Sequence, residues 1–469
     1  MAIALGVDLA TADARVLAID LDTGDQLAER SHPLTVDHGE QPADYGSIAL
    51  RLIAAVAHDL GSRAVEVAAL AVTGTSGTVV PADERGVPVG PALLYNDSRG
   101  AELLPLLSSR GLGARPSGAL ARAAWLQRTR PAPRYLFTAD IVTSALAGEL
   151  LASDTSHALK SGIDPVSATW DLAAADALGI PVDALPRLVR PGRVIGAVAV
   201  AVAADVGLPA GVLIVSGMTD GATAQLATGA VSIGDSVGVL GTTLVMKGVA
   251  TADVVDPTSG VYSHVAPDGA FWAGGASNTG AGVLRFGPTA DLDVRAADAA
   301  ADLLGPAPVI AYPLSRPGER FPVADPAFPG FLVDLAGVPS DVADPIARFR
   351  AVLEGVAFVE RRGLERLAAL GVSGGRHHVA GGAAASALWN GIRASVLDRE
   401  LLVPRHRSSA FGAAVLAGAA GTGESIGEVV ARLAGPASVI EPVADLVEPL
   451  AERYAIFSAT VDRMLSEPS

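Results

Sequence analysis

Three short stretches of this chain carry residues whose types and spacing could handle a phosphate. GVDLATADAR (residues 6–15) places Asp8 at the end of an apolar run, with Thr11 and Arg15 shortly after it. SVGVLGTTLVMKG (residues 236–248) repeats the design, an apolar run, a Gly241-Thr242-Thr243 turn and a second apolar run. The hydroxyl and N–H groups of such turns can surround phosphate oxygens, because consecutive backbone N–H groups form an anion-binding concavity. VAGGAAASALWN (residues 379–390) puts Gly381 and Gly382 ahead of a helical stretch bearing Trp389 and Asn390. Glycines at such a junction let the backbone approach a flat or charged ligand closely. Between these lies VSGMTDGATAQL (residues 215–226), where Asp220 stands at the start of a helix.

Each feature has an ordinary reading. Asp220 alone is a helix N-cap, since Asp is among the preferred caps. Asp8 alone is a turn residue. Gly381-Gly382 is a tight turn, and His377 and His378 alternate faces on a strand as structural residues.

The elements that must position these residues follow from pattern. Residues 2–9 and 14–21 read as strands joined by the small-residue turn ATAD, and DTGD leads into a third run, so the chain opens as a β-meander. A second such hairpin near residue 236 suggests a duplicated domain. At 469 residues the chain is too long for one core and fits two domains of roughly 200 residues each.

Composition narrows the function. Half the residues are hydrophobic, 18% are charged and the net charge is -16, with lysine only at Lys160 and Lys247. So acidic a surface repels phosphate backbones and anionic lipid, which argues against nucleic-acid and membrane partners and for a small ligand. There is no cysteine, which removes disulfides, thiolate zinc sites and cysteine nucleophiles. No charged leader precedes the first apolar run, and a cytoplasmic location is expected. Neither lysine belongs to a GxxxxGK[ST] loop, and no GxGxxG or HExxH occurs. GVSGG at 371–375 follows a helical run and precedes a strand, the reverse of a nucleophile elbow, so Ser373 reads as a loop residue.

In their order along the chain these features resemble the FGGY carbohydrate kinases, of the actin-like ATPase superfamily. The resemblance extends to Tyr95, Asn96, Asp97, Ser98 and Arg99 in ALLYNDSRG, SGIDPVSATWD, the GGASNTGAG loop around Asn278, RPGERFPVADPAFPG, and AGGAAASALWNGIRASVLDRELLVPRHRSSAFGAAVLAG. It covers about residues 3 to 421. Ala10 stands where relatives usually have Gly, and Asp13 where a small residue is usual.

The resemblance implies an α/β protein of two RNase-H-like domains, about 1–230 and 231–469 with a helical tail, and a nucleotide and sugar cleft between them. It implies ATP and Mg²⁺ as cofactors and a small sugar as substrate. Asp8 would help place Mg²⁺, and Asp220 would be the catalytic base toward a sugar hydroxyl and touch the sugar. Thr11, Arg15, Gly241, Thr242, Thr243, Gly381, Gly382, Ala383 and Asn390 would hold the nucleotide, and Thr75, Ser76, Tyr95 and Asp97 the sugar. The GTSGT loop at 74–78, together with ALLYNDSRG, resembles the ribulokinase-like branch, which points to a ketopentose, D-ribulose first and D-xylulose second. Pentitols, glycerol, a sugar- or nucleotide-binding regulator without turnover, and an actin- or chaperone-like ATPase stay open, as does a homodimer.

Overall fold

In a computed structural model, residues 2–34, 44–112 and 116–466 are described. The chain forms two compact units. The first takes Met1–Ala227, His264–Gly269 and His406–Gly435, and the second takes Thr228–Ser263, Ala270–Arg405 and Pro436–Ser469.

The first unit is built on a six-stranded sheet. Its strands are β1 (Ile3–Leu9), β2 (Asp13–Asp20), β3 (Gln26–Pro33), β4 (Val67–Gly74), β5 (Val194–Ala197) and β6 (Leu213–Val215), in the spatial order β3-β2-β1-β4-β6-β5. The β1–β2–β3 meander is antiparallel, and β4 and β6 are added parallel. Alternation along β1 explains how the sheet is covered. Ile3, Leu5, Val7 and Leu9 are fully buried in one core with Ala49, Ile53 and Val56 of the helix Tyr45–Leu60. On the even-numbered face, a Cβ on Gly6 would lie 1.8 Å from the Ala410 carbonyl, so the helix Ser409–Thr422 packs backbone to backbone on β1. Asp8 shares the face of Gly6.

The second unit repeats the plan in a seven-stranded sheet. Its strands are β7 (Ser236–Leu240), β8 (Leu244–Ala250), β9 (Tyr262–Val265), β10 (Phe271–Ala276), β11 (His377–Ala380), β12 (Leu401–Pro404) and β13 (Pro436–Ile440), in the order β9-β10-β8-β7-β11-β12-β13. Again an antiparallel meander leads and two strands join parallel to its first member. The helix Pro345–Ala369 fills this unit's core with Phe349, Leu353, Val356 and Phe358.

The tail beyond residue 422, expected with the second domain, divides between the units. The helix Ile426–Leu433 belongs to the first unit and Ala444–Ser466 to the second. Helical periodicity defines a buried face but not which core receives it.

Candidate active site

Two carboxylates of the first unit lie within electrostatic reach of one another. Asp8 lies near the end of β1, opposite Arg15 on β2 and Thr73 on β4. Its Oδ1 is enclosed and without a hydrogen-bond partner. Burial, and next the charge of Asp220, push its carboxyl up to about 7, against the opposing pull of Arg15. Asp220 is the first residue of the helix Asp220–Thr228, and its Oδ1 accepts from the Gly221 N–H at 2.6 Å. Asp8, enclosed with an unsatisfied oxygen and within the electrostatic reach of Asp220, has the chemistry of a group that a divalent cation would relieve. Among the described residues no group of three or more His, Cys, Asp or Glu side chains could hold a metal alone. That fits Mg²⁺, which takes one or two carboxylates and completes its shell with phosphate and water oxygens.

Thr11 is exposed at the β1–β2 turn. Arg15 makes ion pairs with Asp13 and Glu29, both at 3.2 Å. The acidic residue that breaks the family pattern therefore has its own counter-ion.

Asp220 is set in place by its neighbours. Thr219 forms an isolated parallel bridge with Gly74, at the end of β4. The Thr219 N–H donates to Ser156 Oγ at 3.1 Å, and Thr73 and Thr223 hydroxyls meet at 3.0 Å. Beside Ser156, His157 is fully buried with Nδ1 2.6 Å from Asp154 Oδ2. Burial pulls the His157 pKa down, but Asp154, Asp140 and Asp220 outweigh it and leave it raised. Nothing in the sequence pattern singles out this buried pair.

The sugar-loop residues are gathered within the same unit. Thr75 and Thr78 hydroxyls pair at 2.6 Å, and Ser76 Oγ is enclosed without a partner. Tyr95 is 46% exposed, leaving a ring face free to stack. Asp97 is gripped by Arg99, whose Nε lies 2.9 and 3.0 Å from its two oxygens and holds its carboxyl below the usual range. Arg99 in turn sits over Trp125, 5.1 Å from the ring centre. One residue joins the segments, and sequence reasoning missed it. Arg122 donates to the Gly77 carbonyl through Nε and Nη2, at 3.2 and 2.8 Å, and to the Asp97 carbonyl through Nη1 at 3.3 Å. Arg122 is buried on the helix Gly118–Thr129, a burial that only the packing of that helix reveals. A Cβ on Gly77 would lie 3.5 Å from the Lys160 side chain, so that lysine borders the loop.

In the second unit the turn between β7 and β8 is oriented by its own carbonyls. The Ala281 N–H donates to Gly241 O at 2.9 Å and the Gly282 N–H to Thr242 O at 3.0 Å. A planar trans peptide points each C=O opposite to the next residue's N–H. The N–H groups of Thr242 and Thr243 therefore both point away from the 280–282 segment, the arrangement of an anion cradle. The Asn278 amide donates to Gly318 O at 2.9 Å.

At the end of β11, Gly381 has φ +91°, where glycine is favoured, and Gly382, Ala383 and Ala384 continue in a 3-10 turn. Gly382 is exposed, and a Cβ there would meet nothing within 4 Å, so its face is open to a ligand. Asn390 is buried, its amide donating to Ala384 O at 2.9 Å, so its side chain secures this turn from within. Behind it Arg393 is paired with Glu360 at 2.6 Å, and Glu360 also meets His377 Nε2 at 3.1 Å. His378 Nδ1 lies 2.8 Å from the Thr228 carbonyl.

Two α/β units, each with a meander-led mixed sheet and a threonine-bearing first turn, define a duplicated mixed α/β fold. The chain matches the N-terminal domain of the FGGY family of carbohydrate kinases over residues 3–227 and the C-terminal domain over 236–421, and it belongs to that family. It is therefore a carbohydrate kinase. It is 26% identical to the xylulose kinase of Escherichia coli over 85% of both chains, and 24% identical to that of Bacillus subtilis over 95% of this chain and 93% of the other. Among solved structures, the xylulose kinase of Rhodospirillum rubrum superposes with a TM-score of 0.84 at 25% identity, covering 98% of this chain and 99% of that one. The glycerol kinase of Plasmodium falciparum, with ADP, gives 0.84 at 17% identity, covering 100% of this chain and 99% of that one, a likeness of fold alone.

No described helix is long and apolar enough to cross a membrane.

Proposed function

We propose that the protein transfers the terminal phosphoryl group of ATP to a hydroxyl of a ketopentose, with xylulose ahead of ribulose. The observation that carries this is the pairing of Asp8 with Asp220 in the first unit, an enclosed acid beside a carboxylate at a helix start. The GTSGT loop together with ALLYNDSRG placed ribulose first. Likeness to relatives called xylulose kinase, one matched over 85% of its length and another over 93%, supports reading xylulose first.

Asp220 accepts the proton of the attacking hydroxyl. A weak base is sufficient, because phosphoryl transfer through a loose transition state depends on positioning and charge neutralisation. The Thr75-Ser76 loop, Tyr95 and Asp97 hold the sugar, with Arg122 fixing both segments. Thr242 and Thr243 present their N–H groups to phosphate oxygens, while Gly381, Gly382 and Ala383 receive the adenosine and Asn390 braces their turn. Thr11 adds a phosphate contact, and Arg15 neutralises Asp13 beside it. Asp8 would hold Mg²⁺, which supplies charge neutralisation on the phosphates.

A coupled ADP-release assay with Mg-ATP against ketopentoses, pentitols, glycerol and hexoses tests this. Turnover on xylulose or ribulose is expected. ATP hydrolysis indifferent to every sugar, or nucleotide binding without a phosphorylated product, would overturn it.

A further inference from the structure

Glu319 is a buried carboxylate that the proposed mechanism leaves unused, and four donors converge on it. Ser277 Oγ and the Tyr312 hydroxyl reach Oε2 at 2.6 and 2.9 Å. The N–H groups of Asn278 and Arg320 reach Oε1 at 2.6 and 2.7 Å. The residue is 3% exposed. Two of these donors, Ser277 and Asn278, begin the loop whose far end orients the Thr242-Thr243 turn. Thr279 continues the connection, its N–H on Ser277 Oγ at 3.0 Å and its carbonyl accepting from the Leu244 N–H at 2.8 Å. Gly280 then passes so close to the turn that a Cβ on it would lie 2.6 Å from Thr242 O. Ala281 and Gly282 make the hydrogen bonds that turn the two N–H groups outward.

We propose that Glu319 is a positioning residue for phosphoryl transfer. It anchors residues 277–282 from inside the unit, and that loop holds the Thr242 and Thr243 N–H groups in the direction that receives the terminal phosphate. The inference rests on the reading of this turn as a phosphate site. A carboxylate suits the position, because both of its oxygens accept and so take the two backbone N–H groups and both hydroxyl hydrogens at once. In Glu319→Gln the amide oxygen can keep the two backbone N–H groups, but the NH₂ group then donates to Ser277 Oγ, which already accepts from the Thr279 N–H, so the Ser277 hydroxyl hydrogen loses its acceptor and the loop loosens at its anchored end.

The test compares nucleotides that differ only at the terminal phosphate. Affinities for ADP and for a non-hydrolysable ATP analogue are measured by calorimetry with Mg²⁺ present, on the whole chain and on Glu319→Gln. The wild-type protein is expected to prefer the analogue. The variant should lose about tenfold or more of that preference, with ADP and sugar affinities within twofold of wild type and kcat reduced. An equal weakening of both nucleotides marks a merely structural role and overturns the proposal, as does an unchanged preference. A wild-type protein without preference for the analogue would instead overturn the phosphate-site reading beneath it. If Glu319→Gln does not fold, Ser277→Ala removes one anchor while keeping the carboxylate. About a threefold loss of preference is expected, and no loss overturns the proposal.

Discussion

Gly381 runs so close to Leu240 that a Cβ on the glycine would sit 2.4 Å from the Leu240 carbonyl oxygen. Its neighbour Gly382 faces open space. The two glycines should therefore fail differently. Gly381→Ala meets both a left-handed φ and a backbone clash, and should lose ~2 kcal/mol or more of stability, read by denaturant unfolding. Gly382→Ala should leave stability within about 0.5 kcal/mol while raising KM for ATP, because its methyl group occupies the ligand side. A normal KM for ATP in Gly382→Ala would remove that face from the nucleotide site.

Asp220→Asn keeps the size of the side chain and removes the base. A positioned general base contributes about 10²- to 10⁴-fold, so kcat should fall in that range while nucleotide affinity stays near wild type. Steady-state ADP release with calorimetry decides it, and an undiminished kcat would remove Asp220 from the proton path.

The raised carboxyl of Asp8 makes stability depend on pH with a definite sign. Its pKa is about 7 in the folded chain against 3.8 for the free side chain, so the native state holds the extra proton between those values. Stability contributed by the protonated acid is full below the lower value and is lost as pH rises through the upper one. The loss is at most ~4 kcal/mol, since each tenfold difference in proton affinity is about 1.4 kcal/mol. Asp8→Asn should abolish phosphoryl transfer, and its Tm advantage over wild type should grow between about pH 4 and pH 7. Melting curves across that range check this, and a constant difference would contradict it.

Arg122→Ala should unfasten the Gly77 and Asp97 segments together. Charged hydrogen bonds of this kind are worth about 1.5–3 kcal/mol, so KM for the sugar should rise roughly ten- to hundredfold with ATP affinity kept. Arg122→Lys should restore little, because an ammonium cannot reproduce the forked contact to one carbonyl. Sugar titrations of the three proteins test the point.

The first turn, the threonine turn and the Gly381-Gly382 junction were legible because glycines and short hydroxyl residues between apolar runs have few other uses. Asp8 was legible as a carboxylate near the end of a buried strand and Asp220 as one at a helix start. What could not be read was anything made by packing. Arg122 looks like a surface charge until its helix is placed, and His157 and Asp154 meet only once their turn folds under Thr219. Glu319 was noted only within its Gly-Glu-Arg stretch, with no hint of its four donors. The packing of Ser409–Thr422 had a trace in its many small residues, since Gly6 permits its backbone contact with β1 and Gly412 its contact with Thr223 of the helix Asp220–Thr228. Small residues permit close approach, but they do not name the partner.

The scarcity of lysine gives this chain an unusual handle. Lys247 is 9% exposed within β8, whereas Lys160 is partly accessible beside Gly77. An amine-directed dye or acylating reagent therefore finds its lysine target at the rim of the sugar loop. Labelling at that one side chain would report sugar occupancy, by protection or by fluorescence change, without any engineered cysteine.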